Sequence, residues 1–194
     1  MKYYISDLHF FHDNIIRFEN RPFNDMYDMI TSMIERWNET VTPEDEVYVL
    51  GDVFFKAKDS RQCVAIMQAL NGTKHCIRGN HDKALRNENI AAQFADIKEL
   101  DMVKDNGRMI MLCHYPMESW CARSHGTYML YGHIHTHWGS ISRALPNRYN
   151  VCCEVLNYRP HTLDELIVDD MDYRNKPGSP RWSAEDFRKE EGKK

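Results

Sequence analysis

At 194 residues, with 42% apolar and 28% charged side chains, the chain has ordinary globular usage; this disfavours a disordered or membrane-spanning class and suits one buried core. Its formal net charge of -4 argues against a broad basic footprint for duplex nucleic acid, because phosphate contacts supply most of such affinity. The 6 cysteines lack Cys-x-x-Cys spacing and read as reduced core thiols, and an acid and a histidine precede any apolar leader, so a cytoplasmic protein with no membrane segment is expected.

Residues 2–6 have the β-branched and aromatic content of a strand, which runs into Asp7-Leu8-His9. If strand geometry persists there, Asp7 and His9 face the same way, a spacing that suits a metal. Residues 14–20 read as one or two helical turns halted by Arg21-Pro22. Met26, Met29, Ile30, Met33, Ile34 and Trp37 recur at helical spacing as core packing, with Asn24 or Asp25 as the cap. Residues 46–50 form a second strand, ending at Gly51-Asp52. Ser60 is placed to cap a helix carrying Cys63, Val64, Ile66, Met67 and Leu70, which stops at Asn71-Gly72. A third strand over 74–78 delivers Gly79-Asn80-His81-Asp82. This alternation of strands and helices signals an α/β layer with crossover connections, whose ligands gather at the carboxyl ends of the strands.

The second half is strand-rich. Residues 97–103 and 108–113 flank Asn106-Gly107, a strong hairpin signal, and the continuous apolar run to Cys113 reads as buried on both faces before His114. Residues 128–131 end at Gly132-His133-Ile134-His135, 148–155 read as a last strand, and a capped helix or turn covers 162–168. A domain over 1–169 is therefore expected, followed by a polar extension over 170–194 with a linker at 176–180 and a short helix capped by Ser183 and Asp186.

Polar groups thus collect where apolar strands end: Asp7 and His9, Asp52, Asn80 and His81, His114, then His133 and His135. Carboxylates, imidazoles and an amide, without thiolate, suit a pair of borderline divalent ions rather than structural zinc, calcium or an iron–sulfur cluster. Two such ions roughly 3.5–4 Å apart can share a carboxylate, and Asp52 is the natural bridge.

In order, Asp7-Leu8-His9, Gly51-Asp52-Val53, Gly79-Asn80-His81-Asp82, His114 and Gly132-His133-Ile134-His135 resemble the motifs of the calcineurin-like metallophosphoesterase superfamily, in its small single-domain bacterial and phage forms. The resemblance spans residues 2 to about 156. It implies a four-layer α/β/β/α sandwich of two mixed β-sheets flanked by helices. One metal would be held by Asp7, His9, Asp52 and His135, the other by Asp52, Asn80, His114 and His133, with manganese first and iron, zinc, cobalt or nickel as alternatives. A hydroxide between the ions would attack phosphorus while His81 protonates the leaving oxygen.

The second motif continues Val53-Phe54-Phe55-Lys56, without the aspartate and arginine of the protein phosphatases, so that activity is disfavoured. Lys56 has two readings, a replacement phosphate contact or a solvated cation. His12, His137 and Trp138 could border substrate, and Trp120 either stacks a base or packs. Asp82 has no role in this reading. The expectation is a dinuclear metal-dependent hydrolase of small phosphate esters or nucleotides, with diesters favoured over monoesters. The alternatives are a nuclease on single-stranded or processed nucleic acid, which is disfavoured, and a non-catalytic interaction scaffold.

Overall fold

The computed structural model describes residues 1–137 and 145–175. Two four-stranded sheets carry the fold. The first contains β1 (Lys2–Ile5), β2 (Glu46–Val49), β3 (Thr73–Ile77) and β4 (Asp96–Lys98), in that spatial order and all parallel, with Ile5 beside Val49 and Val49 beside Cys76. The second contains β5 (Leu100–Asp105), β6 (Arg108–Cys113), β7 (Tyr128–Tyr131) and β8 (Arg148–Asn150). Here β5 and β6 are antiparallel and the remaining pairs parallel, so the mixed character lies in this sheet, while Tyr4 of the first makes an isolated antiparallel bridge to His161.

The helices flanking the sheets are α1 (Asp13–Phe18), α2 (Met26–Thr40), α3 (Ser60–Ala69), α4 (Glu88–Ala91) and α5 (Leu163–Asn175). Together they complete the α/β/β/α sandwich. Asp25 caps α2 by accepting the N–H groups of Tyr27 and Asp28, and the helix buries Met29, Ile30, Met33 and Trp37 on one face. Trp37 Nε1 then donates to Asn71 O at 3.0 Å. A main core joins both sheets with α2 and α3. Along β7 the side chains alternate: Tyr128 and Leu130 face that core, while Met129 and Tyr131 join Met111, Trp120 and Leu145 in a second cluster. The second sheet is therefore covered on both faces, as the apolar run through β6 requires.

Several local expectations are corrected. The run over 97–103 is two strands in different sheets, because the chain leaves β4 and enters β5 across Glu99. A period of two records which face a side chain takes but not which partner its backbone chooses. Asp59, not Ser60, caps α3, accepting the Arg61 N–H at 2.9 Å. The last strand stops at Asn150, after which Cys152 bridges Ser6 of the other sheet. Thr162 and Glu165 form a reciprocal capping box, and α5 runs on to Asn175, past the helix or turn expected over 162–168. The linker at 176–180, the Ser183 helix and Trp138 lie outside the described residues.

Candidate metal centre

The two sheets meet at their carboxyl ends, and there the backbone turns sharply. Asp7, His9, Asp52, His133 and His135 have φ of 58°, 51°, 54°, 72° and 47°, all left-handed. That region disfavours ordinary side chains by roughly 1–2 kcal/mol each, with Asp and His among the better tolerated. Strand geometry therefore does not persist past Ser6, and Asp7 and His9 are aimed by their own left-handed backbone, with Leu8 between them, instead of by strand alternation. The strained loop is held by its neighbour: Asp7 N–H donates to Gly51 O at 3.0 Å, His9 N–H to Asp52 O at 2.9 Å and Phe10 N–H to Val53 O at 3.0 Å.

Asp7, His9, Asp52 and His114 form a buried floor. Asp7 Oδ2 is saturated by the Ser6 hydroxyl, the His133 N–H at 2.9 Å and the Cys152 thiol at 3.2 Å, which leaves Oδ1 facing the cluster. His9 Nε2 lies 3.7 Å from that Oδ1 and 3.6 Å from Asp52 Oδ2. His135 Nε2 reaches the same Asp7 oxygen at 3.7 Å, and His114 Nε2 reaches Asp52 Oδ2 at 3.7 Å. Asp52 Oδ1 is occupied by the His81 N–H at 2.8 Å, so Oδ2 is the oxygen left between His9 and His114. His114 Nδ1–H donates to Leu50 O at 2.7 Å, which turns the Nε2 lone pair toward Asn80 Oδ1, 3.0 Å away. Two acceptors at that separation call for a cation. Burial alone would raise the Asp7 carboxyl, but His9, His114 and His135 hold it well below the usual carboxylate range.

These residues fit divalent ions. Asp7 Oδ1 and both His9 ring nitrogens are buried without a hydrogen-bond partner, an arrangement that is costly unless something else satisfies them. Donor atoms of Asp7, His9 and His135 come within 4.8 Å of one another, as do those of Asp7, Asp52 and His114. Neither group includes His133, which is exposed and packs its ring 5.2 Å from that of His114. Burial and the His114 imidazole keep its pKa low, against Asp7 and Asp52.

The rim carries Asn80 and His81, both exposed. The His81 ring centre is 5.6 Å from that of His9 and 5.1 Å from that of Phe55. His12 stacks on Phe55 at 3.7 Å and sits 5.4 Å from His9, so it does line the site, and burial with neighbouring His9 pushes its pKa down to about 4. Lys56 places Nζ 5.1 Å from the Phe55 ring centre. Trp120 is buried and donates Nε1–H to Thr127 O at 2.9 Å, so it packs and offers no face to a base. His137 pairs with Glu19 at 3.1 Å.

Arg21, Asp82 and Glu154 have places at the site that the sequence reading did not give them. Asp82 is buried beneath the site and accepts backbone N–H groups from Asp52, Val53 and Gly79. Glu154 accepts from His135 Nδ1 at 2.9 Å and from Arg21 Nη2 at 2.6 Å. Burial would lower the His135 pKa, but its bond to Glu154 and the nearby Asp7 raise it. Glu19, His135 and Glu154 also bring donor atoms within 4.8 Å, yet Arg21 already neutralises Glu154 there. One signal was available: an acid interrupting the apolar run Val151-Cys152-Cys153-Glu154-Val155-Leu156.

Comparison with known proteins agrees with this geometry. The model of the calcineurin-like phosphoesterase superfamily domain matches residues 2–147. An uncharacterized protein of Methanocaldococcus jannaschii is 35% identical over 168 residues, covering 85% of this chain and 88% of its own. The gene 66 protein of Mycobacterium phage D29 is 27% identical, over 69% of this chain and 78% of its own. A protein of unknown function from Aquifex aeolicus superposes with a TM-score of 0.68 at 26% identity, covering 88% of this chain and 98% of its own. With its motifs gathered at one end of two facing sheets, the chain belongs to the calcineurin-like phosphoesterase superfamily and is a metal-dependent phosphoesterase.

Proposed function

We propose that the protein hydrolyses small phosphodiesters, nucleotides among them, at a dinuclear centre with manganese as the first candidate metal. Asp7, His9, Asp52 and His135 would hold one ion, and Asp52, Asn80, His114 and His133 the other. Such ions supply positive charge for the phosphate and lower the pKa of bound water. The chain's own part is positioning. Asp52 is fixed by the His81 N–H through Oδ1, which leaves Oδ2 for metal and couples the Asp52 carboxylate to the backbone that carries the His81 imidazole. His81, exposed beside the floor, would give a ring proton to the departing oxygen.

The observation that carries the diester preference is the character of the rim. A monoester dianion calls for added cations such as a guanidinium, whereas a diester carries one negative charge and an extra organic group. At this rim stand Phe55, with the exposed Lys56 ammonium 5.1 Å over its ring as a single point charge and not a fork, and, beside His133 at 4.8 Å, Tyr115, which is 46% exposed. Arg21, the guanidinium near the floor, is turned to Glu154. A cytoplasmic location accords with the free cysteines, and no described helix is long and apolar enough to cross a membrane. The test is parallel turnover of bis-p-nitrophenyl phosphate and p-nitrophenyl phosphate with Mn2+. The reading requires a higher kcat/KM for the diester; a clear monoester preference would overturn it.

A further inference from the structure

The sequence segment after α1 crosses beneath the site, and its Arg21 is buried with a fully covered side chain, 0% exposed, against a Glu154 side chain that is 3% exposed. Burying such a pair is costly and by itself adds little to stability. Its contacts point elsewhere. Arg21 Nε and Nη2 donate to Glu154 Oε1 at 3.0 and 2.6 Å, Nη2 also donates to Asp7 O at 2.8 Å, and Nη1 donates to Leu8 O at 2.9 Å. The same Glu154 oxygen accepts His135 Nδ1–H at 2.9 Å. One planar guanidinium thus ties together the left-handed loop that carries Asp7 and His9 and, through a carboxylate, the loop that carries His135.

We propose that Arg21 and Glu154 are positioning residues that set one of the two metal positions, the one formed by Asp7, His9 and His135, and leave the other largely alone. The inference rests on the metal assignment made under the proposed function. Glu154 fixes His135 as the Nδ1–H tautomer, so that the Nε2 lone pair faces Asp7 Oδ1 at 3.7 Å. Arg21 holds two successive carbonyls, those of Asp7 and Leu8, which limits how far the Asp7 loop can relax its positive φ. Among the described residues no such ion pair reaches His114, whose Nδ1–H is held by Leu50 O at 2.7 Å.

The test is calorimetric titration of chelator-treated full-length protein with Mn2+, comparing wild type with Glu154→Gln, Arg21→Lys and the double variant Arg21→Met/Glu154→Met. Wild type should bind two ions. Glu154→Gln should weaken one of them by about 10–100-fold, the usual loss when the partner of a ligating histidine is removed, and leave the second within a few-fold. Arg21→Lys should fall between, since a lysine cannot hold three acceptors in one plane. The double variant leaves no unpaired buried charge and should lose the same ion with a smaller fall in melting temperature than Glu154→Gln, which strands the guanidinium. Unchanged affinities in Glu154→Gln and the double variant would overturn the inference while leaving the proposed function intact. Equal weakening of both ions with a fall in melting temperature would also overturn it, in favour of a general packing role. A wild type that binds no Mn2+ would overturn both readings.

Discussion

Asp82 Oδ2 accepts the backbone N–H of Asp52 at 2.9 Å, so a carboxylate three residues beyond Gly79 fixes the loop that follows β2. Its Oδ1 takes the Val53 N–H at 2.9 Å, and Oδ2 also takes the Gly79 N–H at 2.7 Å. Asp82 therefore faces away from His81, its neighbour in sequence, and clips two strand ends together from below. Burial pushes its pKa up, and the three N–H groups oppose that.

Asp82→Asn keeps the shape but sets an amide N–H2 against backbone N–H groups. The expected cost is about 1–3 kcal/mol in unfolding free energy, with loss of most metal-stimulated turnover. Urea denaturation and turnover of the same preparations check this; wild-type stability and turnover would show that the clip is dispensable.

Glycine is required where the loops converge. A Cβ on Gly79 would lie 2.2 Å from Asp52 Oδ1, and one on Gly132 would lie 1.9 Å from Ser6 Oγ and 2.3 Å from Asp7 Oδ2. Gly79→Ala and Gly132→Ala should each displace the carboxylate and weaken Mn2+ binding at least about tenfold. Gly126, at φ +83° with nothing within 4 Å, is the control: Gly126→Ala should cost roughly 1–2 kcal/mol and leave Mn2+ binding unchanged. Titration of all three variants separates close approach from backbone strain.

Bound metal should also stabilise the fold by mass action. At a hundred times the dissociation constant, Mn2+ adds about 2.7 kcal/mol, on the order of 5–10 °C in melting temperature for a chain of this size. Scanning calorimetry with Mn2+ and with chelator measures it, and identical melting temperatures would argue against a metal resident on the folded state.

His161 lies away from the site, and burial, more than the adjacent Arg159, keeps its imidazole below the ordinary value. Glu165, Asp169 and its bond to Arg159 O pull the other way. The unfolded chain therefore binds this proton more readily, so stability is full above about pH 6.5 and declines as pH falls below it. Denaturation at pH 7.5 and 5.5 should show a larger loss in wild type than in His161→Gln; equal losses would remove His161 from the account.

Much of the site was legible because its chemistry is local to strand ends. A polar run after an apolar strand can be read one residue at a time, which is why Asp7, His9, Asp52, Asn80, His81 and His114 could be named as candidates and why the Asn106-Gly107 hairpin, with φ of 47° and 81°, was placed correctly. Interactions that close only in three dimensions were not legible. Arg21 and Glu154 are 133 residues apart, and nothing in either neighbourhood names the other. The split between β4 and β5 was hidden for the same reason, since pairing partners leave no mark on the pattern of a single strand. The left-handed residues are a third case: Asp and His tolerate that backbone, so no glycine announces it.

Whether Asp52 joins metal binding to phosphoester hydrolysis is measured directly by Mn2+ content and turnover of bis-p-nitrophenyl phosphate in the same samples of wild type, Asp52→Asn and His81→Ala. The expected result is two ions and turnover in wild type, loss of both in Asp52→Asn, and full metal content with kcat reduced roughly 10²–10⁴-fold in His81→Ala. Full metal-stimulated turnover in Asp52→Asn and His81→Ala alike would contradict the account.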